Sequence, residues 1–433
     1  MAFYLKGVKL PHRKNTANSP AVEISPVSQV TIPTAMHIGA PAKPVVKKGD
    51  QVCVGTLIAE AGQGLSSPVY SSVSGTVNSV IELLLSNGAT CPAIVIDSDG
   101  EMTIDSEITP PEINSKEDLL NALTKSGIVG LGGAGFPTAV KFKTDKPIEE
   151  LVINGAECEP YITSDTVTML TKADLMKDAI ETLVKYFDIK KVIIGIEKNK
   201  PQAIANMKKM ASQTTNVEIK VLPSVYPQGG EKVLVYHTTG KVIPEGALPI
   251  EVGCVVCNCT TVAEIGKYLK TGIPLVSKVV TVDGGAIENP QNVIAPIGTL
   301  IKDVFDFCGT KSEIAKVLYG GPMMGISVTD LDKPVIKNTN ALLAFTQQET
   351  KLPKTTACIR CGACTNHCPF GISPVAILKS YKANDYQGMK KAGALLCMEC
   401  GCCSYVCPAK IPNVQNNKLA KLSLRNEPKK EVK

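Results

Sequence analysis

The chain has 433 residues, 44% of them hydrophobic and 20% charged. That is an ordinary globular composition; it excludes a disordered or collagen-like protein and, at about 150 residues per domain, points to roughly three domains. Lys and Arg number 46 against 40 Asp and Glu, a net charge of +6, too small an excess to predict a nucleic-acid partner.

Residues 1–110 read as a small β-rich domain. Short runs at Val45–Val46, Val52–Ala59, Pro68–Tyr70 and Val73–Val80 alternate with Gly, Pro and Ser turns. The run VKKGDQVCVGTLIAE followed by SPVYSSVSGTVNSV resembles lipoyl/biotinyl-like hammerhead folds. The hairpin near Tyr70–Gly75, where those folds carry a modified lysine, has none, so a scaffold without a swinging cofactor is expected. Residues 111–273 read as an α/β domain. A helix over Ser115–Ser126 opens with a Ser cap and acidic residues, and a glycine-rich loop follows at Gly127–Gly135. Strands at Val152–Ile153, Val192–Ile196 and Val217–Leu222 then alternate with helices at Lys172–Phe187 and Pro201–Ala211. Residues 274–335 return to strands, at Lys278–Asp283 and Asn292–Pro296, in a segment that resembles a β-grasp ligand-binding domain. Residues 336–355 read as a polar linker, 356–412 as a cysteine module, and 413–433 as a basic tail. The tail holds Lys418, Lys421, Arg425, Lys429, Lys430 and Lys433, with Val414, Leu419 and Leu422 on one helical face. The expected fold class is therefore multidomain α/β: a β-rich hammerhead-like domain, an α/β core, a β-grasp domain and a C-terminal ferredoxin-like helical module.

No run approaches the ~18–20 apolar residues of a membrane span; candidates such as Ile81–Leu85 and Val192–Ile196 are strand-sized. The N-terminus MAFYLKGVKLPHRK lacks the apolar stretch of a signal peptide. The expectation is a cytoplasmic chain that meets a membrane only through a partner.

Cysteine carries the strongest signal. Of 16 cysteines, eight form two runs, C-I-R-C-G-A-C-T-N-H-C-P from Cys358 and C-M-E-C-G-C-C-S-Y-V-C-P from Cys397. Both read C-x2-C-x2-C-x3-C-P, an internal duplication. In that spacing three thiolates cap one [4Fe-4S] cubane and the fourth ligates the other. The expected sets are Cys358, Cys361, Cys364 and Cys407 for one cluster, and Cys397, Cys400, Cys403 and Cys368 for the second, with Cys402 a bystander. Zinc motifs pair their C-x2-C units at other spacings and lack the C-P ending. Such clusters pass single electrons, so another group must feed them.

The loop G-I-V-G-L-G-G-A-G-F-P-T-A-V-K (Gly127–Lys141) is denser in glycine than a Rossmann turn requires, and no clean βαβ unit with an acidic residue at the Rossmann distance follows it. A loop of this kind cradles phosphate with its amides, and Lys141 adds a charge. Its core, G-L-G-G-A-G-F-P-T-A-V-K, resembles the flavin loop of the NADH-oxidising, FMN-carrying subunit of respiratory complex I. N-G-A-E-C-E-P (Asn154–Pro160), Y-P-Q-G-G-E (Tyr226–Glu231) and C-N-C-T-T-V-A (Cys257–Ala263) continue the likeness in order. The extra N-terminal domain and the two ferredoxin-type cysteine runs are similar to the C-subunit family of Rnf complexes, membrane-bound ferredoxin:NAD+ oxidoreductases that pump Na+ or H+.

The resemblance implies FMN and NAD(H) binding alongside two [4Fe-4S] clusters. Gly130, Gly132, Gly133 and Gly135 would let backbone approach the flavin and nucleotide, with Phe136 as a wall and Lys141 on a phosphate. Asn154 would bond the flavin, Glu157 and Glu159 would line the nucleotide pocket with Asp165 nearby, and Glu231, Asn258 and Thr261 would close the site. No acid–base residue is required, since hydride passes between nicotinamide and flavin; the four histidines form no catalytic or zinc pattern. Cys158, Cys254, Cys257 and Cys259 read as small buried residues. The implied partners are other subunits of a membrane redox complex, including an iron–sulfur subunit, with the chain peripheral on the cytoplasmic side. Two other readings share the motifs: a soluble NADH-dependent protein feeding an anaerobic amino-acid reductase, and a relay subunit with a vestigial flavin fold.

Overall fold

The computed structural model describes residues 6–24, 26–311 and 313–427. Lys429, Lys430 and Lys433 of the expected basic tail lie outside the described residues. The first strand, β1 (Ala21–Glu23), does not join the N-terminal β domain; it pairs in parallel with residues 292–294. The strands that follow are β2 (Gln29–Pro33), β3 (Lys43–Pro44), β4 (Gln51–Val52), β5 (Leu57–Glu60), β6 (Val69–Tyr70), β7 (Gly75–Leu84) and β8 (Thr90–Ser98). They form two antiparallel sheets, ordered β2-β8-β7-β4 and β3-β5-β6. Val30, Ile32, Ile58, Val69, Val77, Ile94 and Ile96 fill the space between them. The hairpin that carries no lysine is buried at Ser71–Ser74, and Ser72 Oγ donates to Ile297 O at 2.5 Å. It is packed against the rest of the molecule.

The α/β domain begins with α1 (Lys116–Lys125), capped as its sequence predicts: Ser115 Oγ accepts from Asp118 N at 3.1 Å. After α2 (Thr138–Phe142) come β9 (Glu150–Gly155), α3 (Ser164–Thr171), α4 (Ala173–Phe187), β10 (Lys191–Glu197), α5 (Pro201–Ala211), β11 (Val217–Leu222), α6 (Glu231–Thr239), β12 (Cys254–Asn258) and α7 (Cys259–Thr271). The four strands are all parallel, in the order β11-β10-β9-β12. Helix α4 turns Met176, Ala179, Ile180, Leu183 and Phe187 into the core, the apolar stripe visible in its sequence. It lies hard against α7 because Gly266 has no side chain; a Cβ there would stand 2.0 Å from Leu175 O.

Strands β13 (Ser277–Asp283) and β14 (Gln291–Pro296), helix α8 (Ile301–Cys308), and strands β15 (Lys316–Tyr319), β16 (Ile326–Val328) and β17 (Ala341–Phe345) follow. The sheet has six strands in the order β1-β14-β13-β17-β15-β16. This corrects the expected linker: Ala341–Phe345 is an interior strand with all five residues buried, paired with β13 and β15. Its partners are distant in sequence, so five apolar residues between polar flanks gave no local sign of pairing.

The C-terminal module contains α9 (Ala363–Asn366), α10 (Pro374–Lys382), α11 (Tyr386–Lys391), α12 (Cys402–Tyr405) and α13 (Asn413–Arg425). The sequence duplication is also a backbone duplication. Positive φ recurs 39 residues apart at Arg360 and Glu399, at Gly362 and Gly401, and at Gly371 and Lys410. The tail is not separate from the module. Helix α13 buries Asn413, Asn417, Ala420 and Leu424, the last two in a core with Ile372, Ile377, Met389 and Ala394. The apolar face expected from Val414, Leu419 and Leu422 is not the packed one: Leu422 is 54% exposed. Among the described residues, no helix is long and apolar enough to cross a membrane.

Candidate functional site

In an open parallel sheet, ligands gather where neighbouring strands lead away in opposite directions, beyond the carboxyl ends. Here that place lies between β9 and β12, and the register puts Asn154 directly opposite Asn258. The glycine loop runs over this edge. Gly130 N donates to Phe136 O at 2.7 Å and Gly135 N to Gly130 O at 3.0 Å, which closes the loop on itself. Leu131 N donates to Thr261 Oγ1 at 3.0 Å. At Gly132 a Cβ would meet Asn258 Nδ2 at 3.2 Å, tighter than an ordinary contact, so the glycine lets the backbone lie close on that side chain. Asn258 is held in turn: its Nδ2 donates to Asp165 Oδ2 at 2.7 Å, and its Oδ1 accepts from Thr261 N at 3.2 Å, capping α7. Gly130, Gly132, Asn154, Asp165, Asn258 and Thr261 are thus one constellation. Asn154 Nδ2 donates to Gly229 O at 2.9 Å and ties in the third motif.

Three residues expected at the ligand, Glu157, Glu159 and Lys141, make bonds within the protein. Glu157 is buried, and its carboxylate accepts from Asp165 N at 2.7 Å and Thr166 Oγ1 at 2.5 Å, so it anchors the start of α3. Burial pushes its carboxyl upward, opposed by Lys14. Glu159 accepts from Met323 N at 3.0 Å and Met324 N at 2.8 Å, and burial raises it to about 7. Lys141 donates to Val256 O at 2.7 Å and lies 3.5 Å from Glu231. Phe136 is half-buried, while Gly132 and Gly133 at the tip are exposed.

Sequence reasoning missed the cations that hold this region. Lys14, from the N-terminal segment, donates to Glu157 O at 2.9 Å, Glu159 O at 2.8 Å and Ile162 O; burial lowers it to about 8. Lys200 donates to Ala156 O at 2.7 Å. Together they fix the segment in which Glu157 and Tyr161 have positive φ. Lys337 is fully buried within the expected linker and binds Pro68 O at 2.6 Å and Gly127 O at 2.7 Å. It joins the β domain to the root of the glycine loop, and burial lowers it to about 7. Beside it Asn338 Nδ2 donates to Gly133 O at 2.8 Å. Isolated lysines in polar stretches carry no pattern, so no sequence signal marked them. Cys254 Sγ donates to Glu150 at 3.3 Å and Cys259 Sγ to Asp165 O at 3.8 Å, and Cys257 is buried. These thiols are engaged separately.

Among the described residues, no group of three His, Cys, Asp or Glu is arranged for a single metal ion. The motif cysteines are distributed around two cavities. One, of ≈ 330 Å³, is lined by Cys368, Cys397, Cys400 and Cys403 together with Cys402, with Phe370, Ile372 and Met398 among its walls. The other, of ≈ 350 Å³, is lined by Cys358, Cys361, Cys364 and Cys407. The first adjoins the α/β domain: Tyr226 Oη donates to Cys400 O at 2.7 Å, and Val8, Tyr226, Cys400 and Cys402 form a small apolar core with Met323 and Met398. The second opens outward, with Cys358 and Cys361 exposed.

Both regions fit the groups their sequences imply. The first cavity offers five thiols, those of the four motif cysteines and of Cys402, and the second offers four, each within a largely apolar wall; both hold the four-thiolate donor set an iron–sulfur cluster needs. At the glycine loop, no atom stands within 4 Å of where a Gly133 Cβ would lie, and Asn338 Oδ1 is buried without a partner. An open backbone edge beside an unused acceptor suits a group with its own hydrogen-bond donors.

Comparison with known proteins agrees region by region. Residues 3–101 match the RnfC barrel sandwich hybrid domain, 123–267 the Nuo51 FMN-binding domain, 279–327 the SLBB domain and 354–411 a 4Fe-4S dicluster domain. The chain is 41% identical to the C-subunit of the proton-translocating ferredoxin:NAD(+) oxidoreductase complex of Clostridium ljungdahlii, over 89% of this chain and 85% of that protein. It is 40% identical to the C-subunit of the Na(+)-translocating complex of Acetobacterium woodii, over 90% of this chain and 89% of that protein. It is 38% identical to the C-subunit of the ion-translocating oxidoreductase complex of Rhodobacter capsulatus, over 97% of this chain and 83% of that protein. On these identities and this coverage, the chain belongs to the C-subunit family of the ion-translocating ferredoxin:NAD(+) oxidoreductase complexes.

Proposed function

We propose that this chain is the NAD(H)-reacting flavin and iron–sulfur subunit of a membrane-bound ferredoxin:NAD+ oxidoreductase complex that couples electron transfer to Na+ or H+ translocation. The observation that carries the reading is the shared edge between two sites. The glycine loop covers the β9/β12 switch point, and the neighbouring Tyr226–Gly230 segment meets the backbone of Cys400. When bound, FMN converts a two-electron hydride into single electrons, and [4Fe-4S] clusters carry single electrons.

The chain's own residues bind, orient and exclude water. Gly130, Gly132, Gly133 and Gly135 present backbone to the flavin and nucleotide, and Asn154, Asn258 and Thr261 border them. Asp165 acts by orienting Asn258. Glu157 and Glu159 shape the pocket from behind through the backbone they anchor, and Lys141 with Glu231 closes its side. The clusters are held in crossed sets, Cys358, Cys361, Cys364 and Cys407 for one, Cys397, Cys400, Cys403 and Cys368 for the other. This assignment is supported by the two cavities, which gather Cys358, Cys361, Cys364 and Cys407 in one and Cys368, Cys397, Cys400 and Cys403, with Cys402, in the other. The chain sits peripherally on the cytoplasmic side, held by the other subunits, one of them an iron–sulfur partner that faces the exposed Cys358 loop. Residues 274–335, with their resemblance to β-grasp domains, act as a structural insert.

Anaerobic purification with flavin, iron and sulfide assays, followed by NADH addition under a spectrophotometer, tests this. About eight irons for two cubanes, one releasable FMN, and bleaching by NADH are expected. A full iron load with no flavin after reconstitution and no response to NADH would overturn it.

A further inference from the structure

Helix α13 carries two asparagines one turn apart, Asn413 and Asn417, each 1% exposed. The Oδ1 atoms of both are buried and have no partner. A buried amide with an unpaired oxygen lowers stability, and an apolar residue of similar size would avoid the loss. The groups that such a residue could not supply are the N–H donors. Asn413 Nδ2 donates to the carbonyl of Cys403 at 3.0 Å. Asn417 Nδ2 instead reaches a ligand sulfur, Cys397 Sγ, at 3.4 Å, on the wall of the cavity that Cys368, Cys397, Cys400 and Cys403 share.

The comparison between the two repeats isolates this contact. The backbone is duplicated: Arg360 N donates to Cys358 Sγ at 3.4 Å, and Glu399, 39 residues on, shares the positive φ of Arg360 two residues after Cys397. The side-chain donor is not. Among the described residues, no side-chain N–H bonds the sulfurs of Cys358, Cys361, Cys364 or Cys407. Lys421, one turn further along α13, donates to Cys397 O at 3.0 Å and is paired with Glu399 at 2.5 Å, so its charge is already balanced. The two sites also differ in exposure, with Cys358 and Cys361 open to solvent, but Asn417 supplies a side-chain N–H to a motif sulfur that has no counterpart among the described residues of the other site.

We propose that Asn417 is a positioning residue that raises the reduction potential of the cluster held by Cys368, Cys397, Cys400 and Cys403. An N–H dipole aimed at a thiolate sulfur favours the form with more negative charge on that sulfur. Reduction adds one electron, so the reduced cluster gains more from the bond than the oxidised one. The inference rests on the two-cluster reading above.

The test is an EPR-monitored redox titration of the full chain with both clusters loaded, alongside an iron assay. Wild-type protein with two titrating signals and a full iron load establishes the underlying reading independently. Asn417→Leu should then shift one of the two one-electron equilibria tenfold toward the oxidised form, about 59 mV downward, and leave the other unchanged. Asn417→Asp keeps the size but replaces the donor with an acceptor, and should lower the same midpoint at least as far. Unchanged midpoints, or equal shifts in both, would overturn the proposal. So would iron loss in both variants, which would assign Asn417 to holding the fold alone.

Discussion

Tyr226→Phe isolates the contact that docks the cluster module. The tyrosine is 3% exposed, and its hydroxyl donates to Cys400 O at 2.7 Å. Burial pushes its phenol well above the ordinary value, so the donor stays protonated at every pH in which the protein is handled. Phenylalanine keeps the ring against Val8, Cys402 and Met398 and removes only the donor. A buried acceptor stripped of one partner costs about 1–3 kcal/mol, which is about a 5- to 150-fold rise in the undocking equilibrium. Hydrogen exchange reads that equilibrium directly. Val8 N and Tyr226 N, which bond each other's carbonyls at 2.9 Å, report one side of the seam, and the amides of residues 401–407 the other. Both sets should exchange faster by that factor in the loaded variant, while amides of β9 and β10 stay at wild-type rates. Unchanged exchange across the seam would refute the reasoning and leave the apolar contacts as the whole of the docking.

Crossed ligation predicts paired losses. Cys407→Ser should extinguish the same EPR signal as Cys358→Ser, and Cys368→Ser the same one as Cys397→Ser; pairing by sequence run instead would refute it. Glu159, raised by burial from 4.5 to about 7, binds a proton in the folded state that the unfolded chain has released. Its contribution to stability therefore falls as pH rises from about 4.5 to about 7 and is level above that. Glu159→Gln should flatten the urea midpoint across this window, and an undiminished slope would assign the pH dependence elsewhere. Gly266→Ala forces a methyl against Leu175 O, a backbone atom that cannot rotate away. It should lower stability by about 1–3 kcal/mol, read as a drop in Tm; an unchanged Tm would mean that α4 and α7 separate freely.

Most of the chemistry was legible in the sequence because it rests on local spacing. The two cysteine runs specify loops of a few residues each; in the structure Cys368 lines one cavity with Cys397, Cys400, Cys402 and Cys403, and Cys407 lines the other with Cys358, Cys361 and Cys364. The glycine loop, the Ser115 cap and the stripe of α4 are equally local. Residues named separately, Gly132, Asp165 and Asn258, meet because Asn258 ends β12, Asp165 starts α3 after β9, and the loop between α1 and α2 carries Gly132 over that edge of the sheet.

What the sequence determined by itself is the set of cofactor-bearing motifs and the order of the domains, since both are carried by residues close together in the chain. Only the tertiary structure decided how those parts are joined. It recruited β1 and β17 into one sheet across most of the chain's length, and it turned Glu157 and Glu159 inward as anchors. It also used Lys14 and Lys337 as buried cations on backbone carbonyls, and it packed α13 through Asn413, Asn417, Ala420 and Leu424, leaving Leu419 and Leu422 outward. Each of these depends on a partner far away in sequence. A strand of three or five residues, or a single lysine, takes its place from the carbonyls and edges that the rest of the fold leaves unpaired.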